Sequence, residues 1–388
     1  MARRAKSSTQ LRHSDRAFLG RSSDPDDLEI VRSEGSFVFD AHGERYIDFV
    51  MGWCVGNLGW APAEVHAAVE RFRGPDYVEP SALYKPWVEL ASLLAAIAPG
   101  RLRKSFRATG GTEAVELALQ AAQSFTGRKK FVAIADAYHG NSIGVKALGR
   151  RTIKPPLDGA ALQRVERALQ RRDVAAFIME PVICNLGALA PDEEFMRGLG
   201  ELCEEFGTLL IFDEVACGFG RTGRLFASEH FDVEPDIVCL AKAITAGVMP
   251  MGATIMTDEV ADGLDDDFSF YSTYGWHPRS VAAAIANVKF WKRHGKAILA
   301  NVVARAEEFE ARLGAIDFGC AAEVRVKGLA IGIEFEDEGY AEKLQERCRK
   351  AGLLISADDD MAMLFPALTI DEKTVARGID ILEGCASS

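Results

Sequence analysis

Short, continuously apolar runs that alternate with amphipathic segments constrain this chain more than any other feature. "KKFVAIAD", "AAFIMEP", "TLLIFDEV" and "DIVCLAK" each suit one strand, and none shows the polar alternation of a sheet with a wet face. Before and between them, "TEAVELALQAAQSF" and "EEFMRGLGELCEEFG" carry apolar residues at helical spacing, the second closed by a glycine. Strand–helix alternation with continuous apolar strands predicts an α/β chain built on a mostly parallel sheet covered on both faces.

The two ends of the chain read differently. "GSFVFDAHGERYIDFV" (35–50) predicts a hairpin, with apolar residues alternating around "DAHGE". After "YGWHPRSVAAAIANVKFW" comes a long helical stretch (about 279–315), the paired strands of "EVRVKGLAIGIEFE", another helix and a final strand–helix unit. That order predicts a smaller α+β domain, and 388 residues suffice for about two domains. The expected division is 1–45 as an N-terminal segment packing with the small domain, 46–285 as the large domain, and 286–388 as the small one. The boundary falls inside a helix.

Composition excludes several function classes. A formal net charge of −12 argues against nucleic acid or an anionic membrane as the main partner. No run approaches the ~18–20 apolar residues needed to span a bilayer. "MARRAKSSTQLRHSDR" is basic, but no apolar stretch follows it, so it predicts a solvated, frayed end and not a secretory signal. Eight cysteines form no C-x-x-C pair and seven histidines no H-x-x-x-H pair, which predicts reduced thiols in a cytoplasmic protein and no metal site.

Four stretches carry possible chemistry. In "IVCLAKAITAGVMPMGA" Lys242 is the one charged residue. Two readings are open: a lysine whose stem lies along apolar surface, or an amine kept from water as a nucleophile. "TGGTEAVELALQ" places two glycines and Thr112 before a helix, either a plain capped start or a seat for an anion. It is neither a P-loop nor a G-x-G-x-x-G fingerprint, so a nucleotide is not the natural ligand. "TLLIFDEVACGFGRTG" ends a buried strand with Asp213 and Glu214, where open α/β sheets bind ligands; a strand-end carboxylate can also serve as a cap. "AYHGNSIG" offers the face of Tyr138 on a loop, or a packed Tyr–His pair. Taken in order, an anion seat, an aromatic face, a strand-end acid and a secluded lysine match pyridoxal phosphate: a phosphate, a flat ring, a ring nitrogen and an aldehyde.

With these motifs, together with "NLGW", "IMEPV", "STYGWHP" and "VKGLAIGIEF", the chain resembles the class III (ω-type) aminotransferases, pyridoxal-phosphate enzymes of fold type I. The resemblance covers nearly everything after residue 28. It implies a large cofactor-binding domain with a seven-stranded sheet between helices, and a ping-pong transfer between an amine or amino-acid donor and a keto or aldehyde acceptor. By resemblance, Lys242 is the residue joined to the cofactor aldehyde and then the base that moves the proton. Asp213 pairs with the ring nitrogen, Gly111 and Thr112 form the phosphate cup, and Tyr138 stacks on the ring. Val215 packs on its other face, Glu180 stands near it, and Thr273 reaches the phosphate of a neighbouring subunit, which implies a homodimer with shared active sites. Trp53 and Cys54 fall where relatives line the substrate pocket.

Departures from the family pattern concern the substrate. Relatives commonly carry an arginine near the C-terminus that grips a carboxylate; here "MAMLFPALTI" puts Met363 in that place. Others have an arginine directly after H-G; here it is Asn141. Ala216 replaces a common glutamine, and the 138–182 region is short. Neither methionine nor asparagine can supply a guanidinium's charge-assisted bonds, so a non-standard amine substrate is expected, with Arg221, Arg107 and Lys85 as weak substitute cations. The same absence leaves open an aminomutase of the glutamate-1-semialdehyde type. A non-catalytic regulatory protein on this fold is the remote alternative.

Overall fold

The computed structural model describes residues 2–20 and 28–386. Its strands, in chain order, are β1 (Ile30–Glu34), β2 (Phe37–Asp40), β3 (Arg45–Asp48), β4 (Leu102–Ala108), β5 (Lys130–Ile134), β6 (Thr152–Ile153), β7 (Val174–Met179) and β8 (Leu209–Asp213). They continue with β9 (Ile237–Leu240), β10 (Gly252–Thr257), β11 (Ala322–Lys327), β12 (Ala330–Phe335), β13 (Leu353–Leu354), β14 (Ser356–Asp358) and β15 (Met361–Leu364).

The central sheet has seven strands in the order β4-β10-β9-β8-β7-β5-β6. β10 runs antiparallel to both neighbours; the other pairings are parallel. β7 is buried at every position because both faces of the sheet are covered. Ile178 packs with Ala118 of the helix Gly111–Thr126, while Phe177 and Met179 pack with Leu199 of the helix Glu193–Phe206 on the other face. Each such fully buried side chain contributes about 1.5–3 kcal/mol. Gly207, with φ +59, ends the second helix as expected. The sequence patterns picked out four of these strands. β4 was missed because its buried and half-exposed residues give no clean run, and β10 because "GATIMT" is rich in small and polar residues.

The predicted 35–50 hairpin is present as β2 and β3, extended by β1. β13, far along the chain, pairs parallel with β3, so the N-terminal sheet is stitched to the C-terminal region. A third sheet, β11-β12-β15-β14, is antiparallel throughout. The 36-residue helix Pro278–Leu313 joins the two parts. Asn287 near its start touches the turn after β9, and Phe309 near its end meets Phe49 edge to face at 5.4 Å. The basic opening segment forms a helix, Ala2–Phe18, in place of the expected frayed end. Its lysine, arginines, alanines and leucine are good helix formers, which explains the difference.

Candidate active site

The carboxyl ends of β5, β7, β8 and β9 and the start of the helix Gly111–Thr126 converge on a cavity of about 750 Å³. A larger hollow, about 940 Å³, lies between the helix Lys85–Ala95 and β4. It holds none of the expected site residues, so the smaller one is the candidate site.

The helix start is built for an anion. Gly110 is extended at the N-cap and no side chain caps the first turn, leaving backbone N–H groups without a partner side chain. Glu113 reaches back to the N–H of Thr109 instead. A Cβ on Gly110 would meet nothing within 4 Å, whereas one on Gly111 would stand 3.0 Å from Val215 Cγ1. Gly140, with φ +118, passes so close that a Cβ there would lie 2.6 Å from Thr112 Oγ1. Glycine is required at Gly140 on both counts.

Behind the cavity sits a buried acid–imidazole pair. Asp213, 3 % exposed at the end of β8, places Oδ2 2.8 Å from His139 Nδ1, and its Oδ1 accepts the N–H of Val215 at 3.1 Å. His139 Nε2 is buried and has no partner among the described residues. Glu180, at the end of β7, is held well above the usual carboxylate range, first by burial and then by the charge of Asp213. Glu214 stands beside Asp213 in sequence but faces away: it accepts the N–H groups of Ala227 at 2.9 Å and Ser228 at 2.8 Å. Its part is structural, the capping reading, while Asp213 faces the cavity.

Lys242 opens a short turn after β9 in left-handed backbone, φ +45, and Ala246 four residues on has φ +51. Non-glycine residues in that region are strained and concentrate at functional sites. Asn287 holds the turn, donating to the carbonyls of Ala243 at 2.8 Å and Ile244 at 3.0 Å. Lys242 is half-buried and lines the cavity, and its amine makes no hydrogen bond or salt bridge among the described residues. That position, lining a cavity and not lying along the outer surface, is in keeping with the reading of Lys242 as an available amine.

Tyr138 also lines the cavity and is 53 % exposed. Its backbone N–H donates to Asn185 Oδ1 at 3.1 Å, and Asn185 Nδ2 donates to the carbonyl of Asp136 at 2.8 Å. Asn141 lies outside the cavity lining, yet its Nδ2 donates to the Tyr138 hydroxyl at 3.0 Å. The packed Tyr–His alternative is split: His139 is in the core and Tyr138 is not. Sequence reading missed Asn185, Asn287 and the His139 contact. Only the sequence placement of His139, beside Tyr138 on a strand-end loop, hinted at any of them.

Gly111, Thr112, Tyr138, Glu180, Asp213, Val215, Lys242 and Trp53 thus line one cavity, and Thr273 does not. Thr273 is exposed on the surface of its own chain. Cys54 and Met363 are buried one layer back in an apolar cluster that also holds Phe365, whose ring lies 5.1 Å from that of Trp53. The substitute cations are placed elsewhere. Arg221 is fully buried and donates to the carbonyls of Leu329 at 2.8 Å and Pro366 at 2.6 Å and to Asn57 Oδ1 at 2.7 Å. Arg107 stacks on Trp87 and donates to the Pro80 carbonyl, and Lys85 is exposed at a helix start. No arginine among the described residues lines the cavity. Among the described residues no cluster of His, Cys, Asp and Glu could hold a metal ion, and no helix is long and apolar enough to cross a membrane.

The parts fit pyridoxal phosphate group by group: an uncapped helix start for phosphate, a buried carboxylate for a ring nitrogen, and an unpartnered amine for an aldehyde. Comparison with known proteins agrees. The family described as aminotransferase class III matches residues 18–159 and 153–386. An acetylornithine aminotransferase of Methanopyrus kandleri is 37 % identical over 367 residues, 91 % of this chain and 92 % of that protein. An aminotransferase structure from Bacillus anthracis superposes with a TM-score of 0.89 at 26 % identity, covering 98 % of this chain and 99 % of that one. The taurine:2-oxoglutarate aminotransferase of Bifidobacterium kashiwanohense, solved with pyridoxal phosphate and glutamate, has a TM-score of 0.90 at 24 % identity, covering 98 % and 97 %.

Proposed function

The chain belongs to the class III aminotransferases, which use pyridoxal phosphate, and on that premise we propose that it transfers an amino group from a donor without an α-carboxylate to a keto or aldehyde acceptor. The observation that carries the reading is the meeting of Lys242, Asp213 and the uncapped helix start in a cavity that no arginine lines among the described residues. Acetylornithine, named for the Methanopyrus relative, carries a carboxylate; among the described residues no guanidinium lines the cavity to receive one.

When bound, the cofactor supplies an aldehyde to join the amine and a ring to take up electrons. Gly111 and Thr112 hold the phosphate with backbone N–H groups. Asp213, oriented by His139 and by the N–H of Val215, pairs with the ring nitrogen. Burial, and then the charge of Asp213, raise the pKa of Glu180, which disfavours a second negative charge beside Asp213. Tyr138 and Val215 cover the two faces. Lys242, whose amine lines the cavity, would hold the cofactor through its Nζ and, once released by the donor amine, would serve as the base that moves a proton within the site. The cycle runs as two half-reactions in ping-pong order.

The active unit is a homodimer in which Thr273 of each chain completes the phosphate site of the other. Its exposed position outside its own cavity is in keeping with this. Eight cysteines with no disulfide among the described residues, seven of them buried, support a reducing, cytoplasmic location. A second reading, an aminomutase, draws on the same missing arginine, since such an enzyme needs no separate amino-acid donor. An amine-donor screen separates the two. The yellow holoenzyme should lose its visible band with a donor and release a distinct carbonyl product. Isomerisation of one substrate without such a product would replace the transaminase reading with the aminomutase one.

A further inference from the structure

Among the described residues, three acids and one lysine line the cavity: Glu180, Asp213, Lys242 and Asp358. The first three are taken up by the roles above; Asp358 is not. It ends β14 and pairs across the hairpin with Met361, the first residue of β15. The turn between them is fixed, because Asp359 adopts φ +54 and the carbonyl of Asp360 accepts the N–H of Phe335 at 2.9 Å. The Asp358 carboxylate is exposed and makes no hydrogen bond or ion pair among the described residues. It therefore stands at the rim of the cavity with its lone pairs free.

The same hairpin carries Met363, paired with Ser356 and 1 % exposed, at the position where relatives place a carboxylate-gripping arginine. One element thus presents an apolar side chain where a cation is expected, and an anion at the rim. A donor's distal carboxylate would meet a like charge with nothing to offset it, whereas a distal ammonium would gain a charge-assisted bond.

We propose that Asp358 is a specificity-determining residue, and that the donor it selects is a primary amine carrying a second ammonium group, a diamine in chemical class. This rests on the donor reading above. The test uses propane-, butane- and pentanediamine, the n-alkylamines of equal length, and the ω-amino acids of equal length, with loss of the holoenzyme's visible band as the readout. At the best length the diamine should exceed the alkylamine by about tenfold in kcat/KM, with the ω-amino acid last. D358N should bring the diamine-to-alkylamine ratio toward one, and D358K should move the ω-amino acid ahead of the diamine. The preference should shrink as salt is raised, since the carboxylate is solvent-exposed. Calorimetry with borohydride-reduced enzyme, which cannot turn over, should show the diamine binding more weakly to D358N than to wild type. Equal use of diamine and alkylamine by the wild type, or a preference or binding difference untouched in D358N, overturns the assignment of Asp358 alone. A band that no amine bleaches overturns the donor reading and this assignment with it.

Discussion

His139 Nδ1 lies 2.8 Å from Asp213 Oδ2, so the loop after β5 holds the carboxylate that ends β8. Both side chains are nearly buried, which makes the pair costly to break and effective at fixing one carboxylate orientation. Replacing His139 by alanine should leave the Asp213 oxygen unpartnered and cost about 1–3 kcal/mol of stability in the cofactor-free protein. His139→Asn, which keeps a donor near the Nδ1 position, should recover part of this. Urea unfolding and cofactor titration by visible absorbance measure the two effects, and equal values for both variants and wild type would discount the contact.

Lys242→Ala should slow amino transfer by at least about 10²–10⁴-fold, the usual contribution of a positioned acid–base group. Borohydride treatment followed by mass spectrometry should find the cofactor fixed on Lys242 in wild type and on no residue of the variant. Because Lys242 sits at φ +45, Lys242→Gly should be more stable than Lys242→Ala by about 1 kcal/mol, although both are inactive.

Gly140→Ala should strike Thr112, since its Cβ would lie 2.6 Å from Oγ1 in a backbone region alanine avoids. We expect a loss of about 1–3 kcal/mol in stability together with weaker cofactor retention on dialysis. Retention unchanged from wild type would mean that Thr112 can shift without cost to the helix start.

Arg221→Lys should lower the urea midpoint by an amount corresponding to about 2–5 kcal/mol, because an ammonium cannot span the three acceptors that the guanidinium meets. The buried fork ties the loop after β8 to Leu329, Pro366 and Asn57. KM for donor and acceptor should not respond selectively; a selective rise would restore Arg221 as a substrate cation.

His230 gives the protein an acid-sensitive joint. Burial, then the charge of Lys327, lowers its pKa to about 4, and its Nε2 lies 2.9 Å from the Thr222 carbonyl, as a neutral donor would. Below its ordinary value near 6.5 the unfolded chain takes up a proton that the folded chain refuses. Folding stability should therefore fall as pH drops from about 6.5 toward 4 and be fully present above that window. His230→Gln should flatten this limb of a stability-against-pH curve, read from urea midpoints; an unchanged slope would assign the limb to other groups.

Most of the scaffold was legible from local pattern. β7, β8 and β9 announce themselves because strands buried on both faces must be apolar at every position, and Gly207 marks a helix end because left-handed backbone favours glycine. β4 and β10 did not, since an edge strand and a strand of small residues carry no such run. The site residues were legible as chemical types at strand ends and at a helix start. Local pattern did not separate the two adjacent acids, and the choice of Asp213 came from the motif resemblance; in the fold Glu214 turns to the N–H groups of Ala227 and Ser228.

The sequence by itself determined the fold class and pointed to Lys242, Asp213 and the Gly111–Thr112 turn as the candidate site, the first by local pattern and the second by motif resemblance. Tertiary structure alone decided what surrounds them. It buried Arg221 against carbonyls contributed by residues more than a hundred positions away, joined His139 to Asp213 across 74 positions, and brought Asp358 to the rim of the cavity. These are contacts between distant segments, and their free energy depends on distance and burial, quantities that exist only once the chain has folded.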